Sequence, residues 1–323
     1  MNKIRLGIAG TGSIVRRTMT DMQNCEHIEV TALASRDLGR AEAAARKYGI
    51  PQYYGSYEEL AESDCVDLVY IAVPNHRHKE LSCLMMNRGK HVICEKPLAM
   101  NAAEAREMVQ CARRNNVFFM EAMWTRFMPA IIKLRKLIWD GEIGHINHIY
   151  GCFSYACDYE HVERLNSRAM GGGALKDVGV YPLMLITLLL GCRPMRVEGM
   201  STFAKSGVDV RTSVTMKYTN GATAQFMCGI DTDSRSELMI YGNEGTIEVP
   251  QFWHAEGFNI VKKDGSRAEY SFRHETEGHH YEFDHAAICI AEGLIESPVV
   301  THEESIEVCR LCDIIMADGP IEC

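Results

Sequence analysis

The chain has 323 residues, 46% of them hydrophobic and 24% charged, which is the composition of a globular protein long enough for two domains. Its 34 Lys and Arg against 43 Asp and Glu give a net charge of −9, which argues against general binding to nucleic acid or to anionic membranes. The 13 cysteines are too sparse for a disulfide scaffold and predict reduced thiols in a cytoplasmic protein.

Neither a signal peptide nor a membrane helix is predicted. The apolar stretch at the N-terminus is interrupted by Arg5 and by glycines. The most apolar run, Leu183–Leu190, has eight residues, whereas a membrane helix needs about 18 or more. We therefore expect this run to be a buried helix.

The first 120 residues alternate short apolar runs with longer helical patterns. Strands are predicted at Ile4–Ala9, Ile28–Ala34, Val66–Val73, Val92–Cys94 and Val117–Ala122. Helices are predicted at Ser13–Asn24, Leu38–Tyr48, Glu58–Glu62, His78–Arg88 and Ala102–Asn115. This alternation predicts βαβ units and an α/β domain with a doubly wound parallel sheet over residues 1–122.

Residues 123–323 read as a second domain. Strand-like runs crowd together at Ile146–Tyr155, Val197–Phe203, Val210–Tyr218, Ala222–Ile230, Glu237–Tyr241, Thr246–Val249 and Phe258–Lys262. The hairpin signals Asn220-Gly221 and Asp264-Gly265 favour a mostly antiparallel sheet. Helices are expected at Met128–Trp139, within Gly173–Leu190, at Tyr281–Glu292 and at His302–Met316.

A glycine turn follows the first strand and opens the first helix. Gly10 makes the tight turn, and Gly12, without a Cβ, allows close approach of a pyrophosphate to the backbone. Ser13 and Ile14 then begin a helix whose free N–H groups favour a phosphate. Val15 replaces the usual small third residue. The context of strand, turn and helix predicts a dinucleotide site here.

The tip of the second strand bears on the choice of cofactor. Ser35 and Arg36 stand where an acidic, ribose-binding residue is common, and their hydroxyl and guanidinium suit a 2′-phosphate. Asp37 follows one residue later and keeps NAD possible. NADP is therefore the favoured cofactor.

Two further clusters contain groups suited to chemistry. Glu95-Lys96-Pro97 lies at a strand end, where Glu95 is placed to orient the Lys96 ammonium group. The second cluster begins with the glycines 171–173, which are expected to leave room for a ligand. Asp177 and Tyr181 follow four residues apart, on one face of a predicted helix.

Six motifs run in order over nearly the whole chain: GIAGTGSI, VYIAVPNHRHKE, HVICEKPLAMN, EAMWTRFMPA, GGGALKDVGVYP and YGNEGTIEV. Together they resemble the glucose–fructose oxidoreductase/inositol dehydrogenase (Gfo/Idh/MocA) family, and most of all its subgroup of dimeric trans-dihydrodiol and NADP-dependent D-xylose dehydrogenases. The resemblance implies an N-terminal Rossmann domain and a C-terminal α/β domain with an open, mostly antiparallel sheet. It also implies a homodimer or homotetramer formed through that sheet.

Carried over residue by residue, the resemblance makes Lys96 the catalytic lysine and Tyr181 the acid–base, with Asp177 one helical turn earlier. The cofactor-binding set implied by the glycine turn, the second strand and the resemblance is Gly10, Gly12, Ser13, Ile14, Ser35, Arg36, Pro74, Asn75, His78, Glu95 and Lys96. The implied substrate pocket comprises Trp124, Arg126, Phe153 and Trp253.

The implied reaction is hydride transfer between nicotinamide and a carbinol or carbonyl carbon of a sugar, cyclic polyol or diol. Two alternatives share the fold: a redox-neutral, cofactor-dependent glycosidase or lyase, and a non-enzymatic NADP sensor. No metal is predicted, because His145, His148, Glu160 and His161 lack ligand spacing on a strand. Cys309 and Cys312 form a lone CxxC that predicts inert thiols.

Overall fold

The computed structural model describes residues 3–317, and within them the chain folds as two compact units. Of the described residues, one unit comprises 3–124 and 275–306, and the other comprises 125–274 and 307–317. The first break lies two residues beyond the predicted boundary at 122. The division differs from the predicted one in returning Glu275–Ile306, which the sequence placed in the second domain, to the first unit.

The first unit is built on a six-stranded parallel sheet in the order β3-β2-β1-β4-β5-β6. Its strands are β1 (Ile4–Ala9), β2 (Ile28–Ala34), β3 (Gln52–Tyr54), β4 (Leu68–Ile71), β5 (His91–Glu95) and β6 (Phe119–Ala122). The strand order reverses beside β1, with β2 on one side and β4 on the other. In such sheets ligands bind at the carboxyl ends of the strands beside this reversal.

Six helices accompany this sheet: α1 (Ser13–Asn24), α2 (Leu38–Tyr48), α3 (Tyr57–Glu62), α4 (His78–Asn87), α5 (Ala102–Asn115) and α9 (His280–Ala291). Side chains cap three of them, because the oxygens of Asp37, Ser56 and Asn101 accept from backbone N–H groups three residues on. The predicted bounds of α1, α2 and α5 are confirmed.

The second unit contains an eight-stranded sheet in the order β14-β13-β12-β11-β7-β10-β9-β8. Its strands are β7 (Ile146–Ser154), β8 (Arg196–Phe203), β9 (Asp209–Lys217), β10 (Thr223–Gly229), β11 (Glu237–Gly242), β12 (Gly245–Pro250), β13 (Gly257–Lys262) and β14 (Arg267–Ser271). All pairs are antiparallel except β7 with β10, so the predicted mostly antiparallel sheet is confirmed. The strand β14 was missed.

Helices α6 (Pro129–Trp139), α7 (Glu163–Asn166) and α8 (Val180–Leu190) belong to this unit, and α10 (His302–Ile315) closes the described chain. A π-helical turn, Leu175–Gly179, leads into α8. Within residues 3–317, one helical stretch, Arg168–Leu190, is long and apolar enough to cross a membrane. Because 72% of its most apolar window is buried in the protein, it has the character of a core helix.

Candidate active site

The glycine turn lies at the point where the first sheet reverses its strand order. Gly10 has a φ of +128°, and a Cβ there would stand 2.3 Å from the Ala72 carbonyl oxygen, so only glycine fits. A Cβ on Gly12 would meet nothing within 4 Å. Gly12 is the N-cap of α1 and has no side chain to cap the helix. The N–H groups of the first helical turn, which starts at Ser13 and Ile14, therefore receive no hydrogen bond from a capping side chain. This is a cradle suited to a phosphate.

Val15, at the third position of the glycine fingerprint, is 1% exposed. Its larger side chain is therefore accommodated within the protein interior. The substitution is compatible with the regular helix that follows.

Ser35 and Arg36 directly follow β2, the strand that pairs with β1, and the glycine turn follows β1. Ser35 is buried, Arg36 is exposed, and Asp37 is occupied in capping α2 through the Arg40 N–H (2.8 Å). Burial raises the pKa of Tyr57, and the charges of Arg36, Arg77 and Arg40 oppose that rise. Three guanidinium groups therefore lie near one tyrosine at this end of the sheet. Arg40 and Arg77 were not singled out from the sequence.

Pro74 and Asn75 lie in the turn after β4, and His78 starts α4 directly behind it. The His78 ring is fully buried, with Nδ1 2.9 Å from the Pro97 carbonyl and Nε2 2.9 Å from the Val73 carbonyl. Burial lowers the pKa of His78. The ring thus braces the turns after β4 and β5 from inside.

Glu95 and Lys96 end β5, and the Lys96-Pro97 bond is cis. The Glu95 carboxylate accepts the Lys96 backbone N–H (3.1 Å) and the Tyr70 hydroxyl. Burial raises the pKa of Glu95. These hydrogen bonds fix the backbone of the lysine, and the Lys96 charge opposes the rise in the pKa of Glu95, so the predicted pairing of Glu95 with the ammonium group remains a prediction.

Trp124 ends the first unit, in a 3₁₀ turn, and is 3% exposed. Its ring stacks on His279 at a centroid distance of 4.1 Å, and the Arg17 guanidinium lies 5.9 Å from it. His279 Nδ1 is 3.5 Å from Oε1 of the buried Glu282. Burial raises the pKa of Glu282 well above its usual range. No sequence motif links these residues, because His279 and Glu282 are far from Trp124 along the chain.

The second unit holds an aromatic cluster around Tyr181. Phe153 and Trp253 stack at 5.3 Å with ring planes 7° apart, and Phe153 meets Tyr181 edge-on at 5.6 Å. The Trp253 carbonyl accepts the Thr125 hydroxyl (2.7 Å), which fixes the turn carrying the indole. The structure therefore brings together three of the predicted residues, and Arg126 is buried in the same unit.

Asp177 lies on the π-helical turn, and its carboxylate accepts hydrogen bonds from two side chains. The Tyr155 hydroxyl donates to Asp177 Oδ2 (2.7 Å) and Arg164 Nη1 donates to Oδ1 (2.8 Å). Burial and the Asp177 charge raise the pKa of Tyr155, so its hydroxyl stays protonated. Tyr155 and Arg164 were missed, since they lie 22 and 13 residues before Asp177.

The sequence suggested that glycines 171–173 leave room for a ligand, but at Gly172 and Gly173 the space of a Cβ is taken by the protein itself. A cavity of about 250 Å³ opens beside Gly171 and Gly172, and Lys176 also lines it. A Cβ on Gly172 would stand 2.3 Å from the Leu165 carbonyl, and one on Gly173 would stand 2.0 Å from Asp209 Oδ1. Asp209 Oδ2 accepts the Leu175 N–H (2.7 Å), and burial raises the pKa of Asp209 to about 6. The missing Cβ atoms instead allow the protein's own groups to anchor the turn that carries Asp177.

Other predicted groups fall outside these clusters. Every cysteine within residues 3–317 is free. In the same range no group of three or more His, Cys, Asp or Glu side chains is arranged to hold a metal ion.

Comparison with known families matches both parts of the chain. Residues 4–123 match the model of the Gfo/Idh/MocA oxidoreductase family with an NAD-binding Rossmann fold, and residues 131–248 match the C-terminal domain of the same family. The chain belongs to the Gfo/Idh/MocA family. It is accordingly an NAD(P)-dependent oxidoreductase.

Relatives within the family cover nearly the whole chain. Trans-1,2-dihydrobenzene-1,2-diol dehydrogenase from Mus musculus is 34% identical over 94% of this chain and 92% of its own length, and the Bos taurus protein is 35% identical over the same shares. Among solved structures, a 3-ketoreductase from Actinomadura kijaniata in complex with NADP and TDP-benzene superposes with a TM-score of 0.89 at 25% identity, covering 98% of both chains. A levoglucosan dehydrogenase shares the fold at 21% identity, with a TM-score of 0.87 over 98% of this chain and 97% of its own.

Proposed function

We propose that the protein is an NADP-dependent dehydrogenase or reductase acting on a sugar, cyclic polyol or diol. The observation that carries the proposal is the aromatic cluster in which Tyr181 lies edge-on to Phe153, itself stacked on Trp253. Stacked rings suit the flat carbon face of a cyclic substrate, and a tyrosine beside them supplies a hydroxyl for proton transfer.

The relatives support this substrate class. The curated relatives are named for a cyclic diol, and the 3-ketoreductase was crystallised with a nucleotide-linked benzene. We infer that the substrate of this chain likewise presents a hydroxyl or carbonyl carbon on a ring or a short polyol.

The residues at the glycine turn fit NADP. Gly10 and Gly12 admit a close backbone approach, α1 offers its N-terminal N–H groups, and Ser35 and Arg36 suit a 2′-phosphate. Pro74, Asn75 and Lys96 follow the neighbouring strands and complete the proposed cofactor surface. When bound, the nicotinamide accepts or donates the hydride.

The chain's own residues then handle the proton and the charge. We assign the proton of the substrate hydroxyl to the Tyr181 oxygen, and to Lys96 the lowering of the tyrosine pKa and the polarisation of the substrate oxygen. A cation favours the charged form of a nearby phenol, whose pKa is otherwise about 10. Asp177, fixed by Tyr155 and Arg164, is proposed to orient the substrate and Trp124 and Arg126 to border the pocket.

Replacement of Arg36 tests the cofactor assignment. In Arg36→Ala, kcat/KM with NADP⁺ should fall by about tenfold to a hundredfold because a charge-assisted hydrogen bond to the 2′-phosphate is lost, while kcat/KM with NAD⁺ changes little. The matched control is Arg46→Ala on α2, whose guanidinium is exposed and pairs with Glu42. Equal losses with both cofactors would contradict the assignment.

We also propose a homodimer or homotetramer formed through the second sheet. Tyr150, Met200 and Tyr241 are exposed on one face of that sheet, opposite to the buried Ile149 and its neighbours. Tyr150→Lys with Tyr241→Lys should therefore lower the mass measured by sedimentation equilibrium to that of a smaller assembly, because two charges would be buried unpaired. Trp139→Lys, on the exposed face of α6, is the control; an unchanged mass in the double variant would overturn this interface.

The function itself is tested by following the absorbance of reduced nicotinamide with NADP⁺ and NAD⁺ against aldoses, inositols and cyclic diols, and with NADPH against 1,2-dicarbonyls. Net cofactor turnover with one of these substrates is the expected result. Tight NADPH binding without turnover, together with glycoside hydrolysis, would replace the proposal with redox-neutral chemistry.

A further inference from the structure

The turn after β5 is held by three buried side chains, each bound to a successive residue. Glu95 accepts the Lys96 N–H (3.1 Å), His78 contacts the Pro97 carbonyl (2.9 Å), and Glu121 Oε1 accepts the Leu98 N–H (2.9 Å). Polar groups of a loop usually bond to water. Here protein side chains that are 8% exposed or less take that place.

Glu121 is the member of this set that comes from farthest along the chain. It lies on β6, is 5% exposed, and its second oxygen accepts the hydroxyl of Ser305, itself buried at the start of α10 (2.7 Å). Both carboxylate oxygens therefore have donors, and the side chain is fixed from two sides. Two hydrogen bonds thus connect Ser305, through Glu121, to the backbone N–H of Leu98, two residues after Lys96.

We propose that Glu121 is a positioning residue that holds the backbone of Lys96 in its active place. The proposal rests on the catalytic role proposed for Lys96. A lysine side chain has several rotatable bonds, so the position of its ammonium group depends on a fixed backbone at its base. A displacement of about 1 Å in a catalytic group costs on the order of a hundredfold in rate.

The test compares Glu121→Met with Glu121→Gln. Methionine keeps the volume but offers the Leu98 N–H no comparable acceptor, whereas glutamine keeps Oε1 as acceptor and presents its amide to Ser305. In Glu121→Met, kcat should fall by about tenfold to a hundredfold with the KM for NADP⁺ unchanged, and Glu121→Gln should restore most of that loss. Hydrogen exchange at the Leu98 amide should accelerate in the Met variant alone.

A double variant separates positioning from general damage. If Glu121 acts through Lys96, then Glu121→Met should cost little further turnover in a Lys96→Ala background, because the group it positions is gone. An undiminished kcat in Glu121→Met, or a loss that adds fully to that of Lys96→Ala, would overturn the proposal. Should Glu121→Met not fold, Ser305→Ala is read by the same criteria with a smaller expected loss.

Failure of the proposed function gives a different pattern. Without the proposed function the unaltered protein shows no net cofactor turnover, and without the proposed role of Lys96 the Lys96→Ala variant turns over normally. In both cases the Leu98 amide still exchanges faster in Glu121→Met. Failure of the positioning role alone leaves Lys96→Ala inactive and the Glu121 variants active.

Discussion

Lys96→Ala and Tyr181→Phe are each expected to lower kcat by about 10²- to 10⁴-fold, the usual size of an acid–base contribution. The Tyr181 hydroxyl carries the proton in the proposed reaction, and phenylalanine keeps the ring in its edge-on contact with Phe153. Alanine at 96 removes the cation that favours the phenolate. Steady-state kinetics with the substrate found in the nicotinamide screen measures both losses.

Cofactor binding separates a chemical defect from a structural one. The affinity for NADPH, read by fluorescence titration, should change by less than about threefold in either variant, because most of the cofactor contacts lie elsewhere. Tyr218→Phe is a matched control: Tyr218 is a buried tyrosine of the same unit, and its hydroxyl has no hydrogen-bond partner within the described residues. Normal turnover in both Lys96→Ala and Tyr181→Phe would defeat the catalytic assignment.

The pH profile adds an independent check on the same pair. In the oxidative direction Tyr181 must be ionised to accept the proton, so its pKa sets the acidic limb of kcat/KM. If Lys96 lowers that pKa, removing Lys96 should move this limb to higher pH, toward the ordinary tyrosine value of about 10. The Lys96→Ala profile would then recover part of its activity in alkaline buffer. A profile of unchanged shape would assign Lys96 to substrate polarisation alone.

Local patterns predicted five of the six strands of the first sheet and missed the three-residue β3. The ends of α1, α2 and α5 coincide with their predicted bounds, and Asp37 and Asn101 cap their helices as a short side-chain acceptor should. The strand predicted at Val66–Val73 is shorter in the structure, Leu68–Ile71, because apolar residues continue into the turns that flank it. Apolar runs report burial more directly than they report strand ends.

Contacts between distant residues were beyond the sequence. Tyr155 and Arg164 bind Asp177, and Glu121 binds Leu98, yet no period or motif links these positions. The return of Glu275–Ile306 to the first unit was missed for the same reason. The apolar face of α9 indicates that the helix is buried, but it does not identify the sheet against which it packs.

The glycines of the GGG segment show that a glycine in a sequence has two possible interpretations. A missing Cβ was taken as space for a ligand, but at Gly172 and Gly173 that space is filled by the Leu165 carbonyl and the Asp209 carboxylate. At Gly12 the same feature faces open space. Only the surroundings of each glycine decide which reading applies.

Gly10→Ala should lower the free energy of unfolding by about 3 kcal/mol or more, since a Cβ would approach the Ala72 carbonyl oxygen to 2.3 Å in a backbone conformation of φ +128°. Gly12→Ala should leave stability nearly unchanged, because its φ is −72° and its Cβ meets no atom within 4 Å. Urea unfolding followed by circular dichroism measures both.

Cofactor affinity, unlike stability, should depend strongly on Gly12. In Gly12→Ala the added methyl group would stand where a pyrophosphate approaches the backbone, so we expect NADPH affinity to fall by about tenfold or more in a fully folded protein. Gly49→Ala is the control for backbone strain alone: it has a φ of +69° with nothing near its Cβ, and should cost about 1 kcal/mol without affecting NADPH. If Gly12→Ala binds NADPH as tightly as the unaltered protein, the glycine turn does not hold the pyrophosphate. Suppose that Gly10→Ala lowers the free energy of unfolding by no more than Gly49→Ala does. A small backbone shift then relieves the close approach to Ala72, and glycine is needed at position 10 only because of its positive φ.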